Sequence, residues 1–81
     1  MKFHIFRTCS FLESQKLLNA YPALSNYGLH DEVENGDKIA YVNITSMAKL
    51  RQLVKEIKQP VIIECDKDGE MTLEIYDDYR E

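Results

Sequence analysis

Four side chains able to hold a transition metal are spread along the chain: His4, Cys9, His30 and Cys65. Zinc sites draw their ligands as two close pairs, and these four never assemble into such pairs. No metal and no other cofactor is therefore expected. Asp66-x-Asp68-Gly69 has the look of a calcium loop. Setting Gly69 at the sixth loop position, however, puts Ile75 at the twelfth, where a bidentate Glu is required. Strand-forming rather than helix-forming residues flank it, so a solvated hairpin turn is the expected role.

Arg7-Thr8-Cys9-Ser10 is the other arrangement with chemical potential. A guanidinium beside the free amides of a helix start can hold an anion. The position of Arg7 resembles that of an Arg in acylphosphatases, which sits in a strand-to-helix turn of a ferredoxin-like fold and works with an Asn on a central strand. Asn43 is the counterpart here. The glycine-containing turn of that family is missing, and no general base is evident. An acylphosphatase-like phosphate hydrolase using Arg7 and Asn43 is thus an alternative, and the leading reading assigns no catalytic residue.

The elements that position these groups follow from pattern. Lys2 to Arg7 alternates as a strand. Ser10-Phe11-Leu12-Glu13 fits a capping box, and the helix after it aligns Phe11, Ser14, Leu17, Leu18 and Tyr21 before Pro22. Asn35-Gly36 is a strong hairpin signal between Tyr27 to Glu34 and Asp37 to Ile44. Its two-residue turn pairs Leu29 with Val42, Tyr27 with Ile44 and Asp31 with Ala40. Behind a Thr45-Ser46 cap, Met47, Leu50, Leu53, Val54 and Ile57 follow helical spacing, with Lys49, Arg51, Gln52, Lys55 and Glu56 opposite. A three-residue loop, Lys67-Asp68-Gly69, with Gly69 left-handed, then pairs Cys65 with Met71, Ile63 with Leu73 and Val61 with Ile75. That register gives one apolar face.

Strand, helix, strand, strand, helix, strand, strand predicts an α+β two-layer sandwich over residues 1–76, with 77–81 as an acidic tail. Its first six elements fit the ferredoxin-like βαββαβ pattern with an added C-terminal strand, giving an antiparallel sheet in the order 5-4-1-3-2. Another strand order in a two-layer sandwich is the alternative. Cys9 and Cys65 then lie toward opposite ends of the sheet, too far apart for a disulfide. The face without helices carries His4, Phe6, His30, Glu32, Ile39, Tyr41, Ile62, Glu64, Thr72, Glu74 and Tyr76. Phe6, His30, Ile39, Tyr41, Ile62 and Tyr76 are the candidate interaction surface, since large apolar groups grouped on one face mark contact sites. Aromatics on a sheet can stack on RNA bases, but Glu32, Glu64 and Glu74 among them would repel phosphates.

The whole chain of 81 residues carries a net charge of −4, with a 44% hydrophobic and 30% charged composition. Those values argue for one globular domain and against general binding to nucleic acid or anionic membrane. From Glu64 onward eight acids face two cations, so the C-terminal end is acidic. An inhibitor mimicking nucleic acid is a third reading, weakened by the basic face of the second helix. No apolar run is long enough to cross a membrane, and the start lacks a signal-peptide pattern. A cytoplasmic protein with two reduced thiols is expected.

Leu73-Glu74-Ile75-Tyr76-Asp77-Asp78-Tyr79-Arg80-Glu81, after a Ser-capped Leu-rich helix and an apolar strand, resembles the C-terminal end of small acidic phage and prophage proteins. The resemblance covers Ser46 to Glu81. It implies an accessory intracellular protein that acts by binding, and it carries over no catalytic residue. The expectation is a non-enzymatic protein-binding or assembly module that associates through the open sheet face or an edge strand, its partner another protein or a second copy of itself.

Overall fold

A computed structural model describes residues 1–8 and 10–77. Its elements are β1 (Lys2–Arg7), α1 (Ser14–Ala20), a 3-10 turn (Pro22–Tyr27), β2 (His30–Glu34), β3 (Asp37–Asn43), α2 (Met47–Ile57), β4 (Val61–Cys65) and β5 (Met71–Ile75). They form an α+β fold around one five-stranded sheet in the order β2-β3-β1-β5-β4.

Both hairpin registers follow from their turns. Asn35 and Gly36 hold positive φ, 52° and 85°, and Asp31 pairs with Ala40 as expected. At the second turn Gly69 has φ 84°, and Cys65 pairs with Met71, Ile63 with Leu73 and Val61 with Ile75. The Asp66 carboxylate accepts the amides of Asp68 and Glu70, both at 2.9 Å, so the acidic loop uses this acid to build its own turn.

The sheet departs from the ferredoxin-like expectation in its strand order. β5, not β4, lies beside β1, and the two run parallel, so the sheet is mixed and the order 5-4-1-3-2 does not hold. Alternation fixes which side of a hairpin is apolar but not which of its strands docks inward. Here β5 buries Leu73 and Ile75 completely, and both the amide and the hydroxyl of Thr8 donate to the Ile75 carbonyl at 2.9 and 3.0 Å. Among the described residues no strand pairs with the outer edge of β4.

The first helix also starts later than the capping box implies. Arg7 and Ser10 exchange backbone hydrogen bonds in a tight reversal, and α1 begins only at Ser14. Phe11 therefore leaves the expected core face. β2 is likewise shorter than expected, because Tyr27 belongs to the 3-10 turn and left-handed Gly28 (φ 66°) separates them. In α2 the Ser46 hydroxyl accepts the Lys49 amide at 3.2 Å, as the sequence suggests, although Met47 is exposed.

The core lies between the sheet and the helical layer. Phe3, Ile5, Val42, Leu73 and Ile75 meet Leu17 of α1, Leu24 of the 3-10 turn and Leu53 of α2. Of the expected tail, Asp77 is docked in an ion pair with Arg7, and residues 78–81 lie outside the described residues. Cys65 is exposed; the expected lack of a disulfide involves Cys9, which also lies outside them.

Candidate functional site: the helix-free sheet face

Since Phe3 and Ile5 point into the core, Lys2, His4 and Phe6 project from the opposite side of β1. Register then builds that face row by row. His30 pairs with Tyr41, Tyr41 with His4, His4 with Thr72 and Thr72 with Glu64, so one row crosses all five strands. In the next row Glu32 pairs with Ile39, while Phe6 pairs with Glu74 and Glu74 with Ile62.

Rings fill the middle of the face. His4 lies 5.0 Å from Phe6 and 5.8 Å from Tyr41, and the Tyr41 ring stacks on His30 at 6.0 Å. Phe11, displaced from the core by the late start of α1, turns onto this side and stacks on Phe6 at 4.8 Å and on His4 at 5.8 Å. Its role escapes sequence reasoning because the capping box at Ser10 assigns it to the helix. The surviving signal is aromatic content on both sides of a short reversal.

The β2 side of the cluster is closed by polar contacts. Glu32 accepts from Lys2 at 2.8 Å and bonds His30 at 2.9 Å, while the other His30 nitrogen faces the Gly28 carbonyl at 2.8 Å. Lys2 Nζ also stands 4.4 Å above the Tyr41 ring, and the Tyr41 hydroxyl donates to Glu34. Together these leave Tyr41 only 5% exposed without any helix covering it. The Gly28 and Glu32 hydrogen bonds raise the His30 pKa above the usual imidazole value. Desolvation among the rings lowers that of His4. Hydrogen bonding to Glu34 followed by desolvation holds the Tyr41 phenol well above its ordinary value.

The expected contact residues therefore divide. Tyr41 is a buried floor, and Phe6, His30 and Ile39 are half-buried. Ile62, 41% exposed, and Tyr76, 55% exposed, remain open on the β4–β5 side. Phe11, 73% exposed, lies instead toward β3, where it borders one depression with Gly36, Lys38 and Ile39. Near Ile62 are Glu74 on the adjoining strand and Glu64 two residues along β4.

Arg7 and Asn43 do not share a site. Asn43 pairs with Lys2 at the start of β1, whereas Arg7 pairs with Ile75 at its end, roughly 16 Å along the strand. Arg7 Nη2 is 2.9 Å from Asp77, whose carboxylate also accepts the Tyr21 hydroxyl, so this corner ties α1 to the end of β5. Among the described residues no three His, Cys, Asp or Glu side chains converge on a metal position. No described helix is long and apolar enough to cross a membrane. Comparison with family models, curated proteins and solved structures finds no match to this chain.

Proposed function

We propose that the chain is a small, non-enzymatic protein-binding module that acts through the β4–β5 side of its helix-free sheet face. The observation that carries this reading is the exposure of Ile62 and Tyr76 beside a ring cluster that is already packed. Apolar groups on a rigid strand lose little entropy on contact, and aromatic residues supply much of the energy of protein interfaces. Glu64 and Glu74 beside them favour a partner with a basic rim and disfavour a phosphate backbone. The likeness of residues Ser46 to Glu81 to small phage and prophage proteins supports an accessory role in the cytoplasm.

The test compares retention of cellular proteins by the wild-type chain and by Ile62→Asp and Tyr76→Asp variants that keep its circular dichroism. A protein retained only by the wild type, and bound directly once purified, supports the reading. Identical retention by all three overturns it.

A further inference from the structure

The two edges of the sheet are built differently. β2 presents His30-Asp31-Glu32-Val33-Glu34, three acids in five residues, and pairing this edge with a copy of itself about its middle would oppose Glu32 to Glu32. Charge of this kind protects an edge from further pairing. β4, Val61-Ile62-Ile63-Glu64-Cys65, has one acid, no lysine and no proline, and its Ile63 is 40% exposed.

The free backbone groups of β4 can be identified. The Pro60 carbonyl accepts the Tyr76 amide at 2.8 Å, and the Asp66 amide donates to the Glu70 carbonyl at 2.9 Å. Strand groups alternate sides, so Pro60, Ile62, Glu64 and Asp66 address β5. Val61, Ile63 and Cys65 then direct their N–H and C=O groups outward, at the edge of the sheet.

From this we infer that β4 pairs antiparallel with β4 of a second copy, about a two-fold axis at Ile63, to make one continuous ten-stranded sheet. Ile63 then exchanges both backbone hydrogen bonds with Ile63 of the partner subunit, and Val61 does so with Cys65 of the partner subunit. All three outward-facing residues on each copy are satisfied.

Neighbouring registers are worse. Centring on Val61 runs the strand into the end of α2, and centring on Cys65 opposes Glu64 to Asp66 of the partner subunit. Centring on Ile63 sets Glu64 across from Ile62 of the partner subunit instead. Charge complements this choice. The antiparallel run brings the Asp66–Asp68 turn of one copy alongside Lys58, the exposed residue that ends α2 in the other. On the helix side, Ile63 borders a groove lined by Leu50, Arg51, Val54 and Lys55 of α2, whose aliphatic part the partner's Ile63 would enter. The inference stands apart from the open-face reading, because the edge is distinct from Ile62 and Tyr76 side chains pointing off the sheet.

Two measurements test it. Light scattering should give the mass of two chains for the wild type and of one for Ile63→Lys, with unchanged circular dichroism. In a Cys9→Ser background, Val61→Cys should oxidise to a covalent dimer whose disulfide maps between position 61 and Cys65 of the partner subunit. The antiparallel register brings these two positions within disulfide reach. A monomeric wild type that forms no such crosslink overturns the inference. So does a dimer that survives Ile63→Lys, or a crosslink joining position 61 to position 61. Loss of partner binding in the Ile62 and Tyr76 variants with the dimer intact would leave the two conclusions separately readable.

Discussion

The Asp31 carboxylate on β2 accepts both the Ser14 amide, at 2.8 Å, and the Ser14 hydroxyl, at 2.7 Å, at the first residue of α1. Glu13, the residue at the N-cap position, makes no side-chain cap. A helix of seven residues is marginal alone, and a cap supplied across the fold fixes where it starts. Asp31→Ala should cost about 1 kcal/mol, the usual value of an N-cap side chain, in urea unfolding. Desolvation raises the Asp31 pKa, but the two Ser14 hydrogen bonds outweigh it, and the net shift is downward. Its stabilisation is therefore complete above the unfolded-state pKa and is lost as pH falls through the folded one. Asp31→Ala should accordingly flatten the acid limb of the stability curve.

The two histidines should titrate on opposite sides of the ordinary imidazole value. His30 is raised by Gly28 and Glu32, so its contribution is present below the unfolded pKa and disappears as pH rises through the folded one. His4 is lowered by burial, so its contribution is present above the unfolded pKa and is lost as pH falls through the folded one. Proton NMR of the ring resonances reads both. Glu32→Gln should bring His30 back toward His4, and coincident titration in the wild type would contradict the packing described.

The elements themselves were largely legible because hairpin turns and helical spacing are local. Asn35-Gly36 and Gly69 set two registers through backbone conformations that few other residues adopt cheaply. What stayed hidden was long-range. Asp31 lies seventeen positions from Ser14, and nothing near Ser10 shows that a distant carboxylate will move the helix start. The docking of β5 against β1 depends on Leu73, Ile75 and Thr8 meeting in space. Alternation along each strand carries the local signal for which side chains share a face, while the shielding of Tyr41 by Lys2 and the placement of Phe11 arise from contacts between separate elements.

Tyr27 joins the 3-10 turn to α2 by donating to Glu56 at 2.7 Å. Burial, reinforced by that hydrogen bond, raises its pKa to about 12. Tyr27→Phe keeps the ring and should cost about 1 kcal/mol, the net worth of one hydrogen bond. In an absorbance titration it should remove a phenol that ionises above the ordinary tyrosine value. A neutral effect on both readouts would mean that the turn and α2 are held by apolar contacts alone.

Phe11 offers the sharpest check on the sheet face, because its ring is mostly exposed yet rests on both Phe6 and His4. An aromatic pair is worth about 1 kcal/mol, so Phe11→Ala should lower stability by no more than roughly that amount. Its effect on His4 should be clearer. Removing the ring opens the imidazole to water, relieves the desolvation that disfavours its charged form, and moves its pKa up toward the ordinary value. His30, held by Gly28 and Glu32 on the far side of Tyr41, should titrate as before. An unchanged His4 together with an unchanged melting temperature would show that Phe11 does not rest on this face in solution. It would then be free to serve as a contact residue without first leaving Phe6.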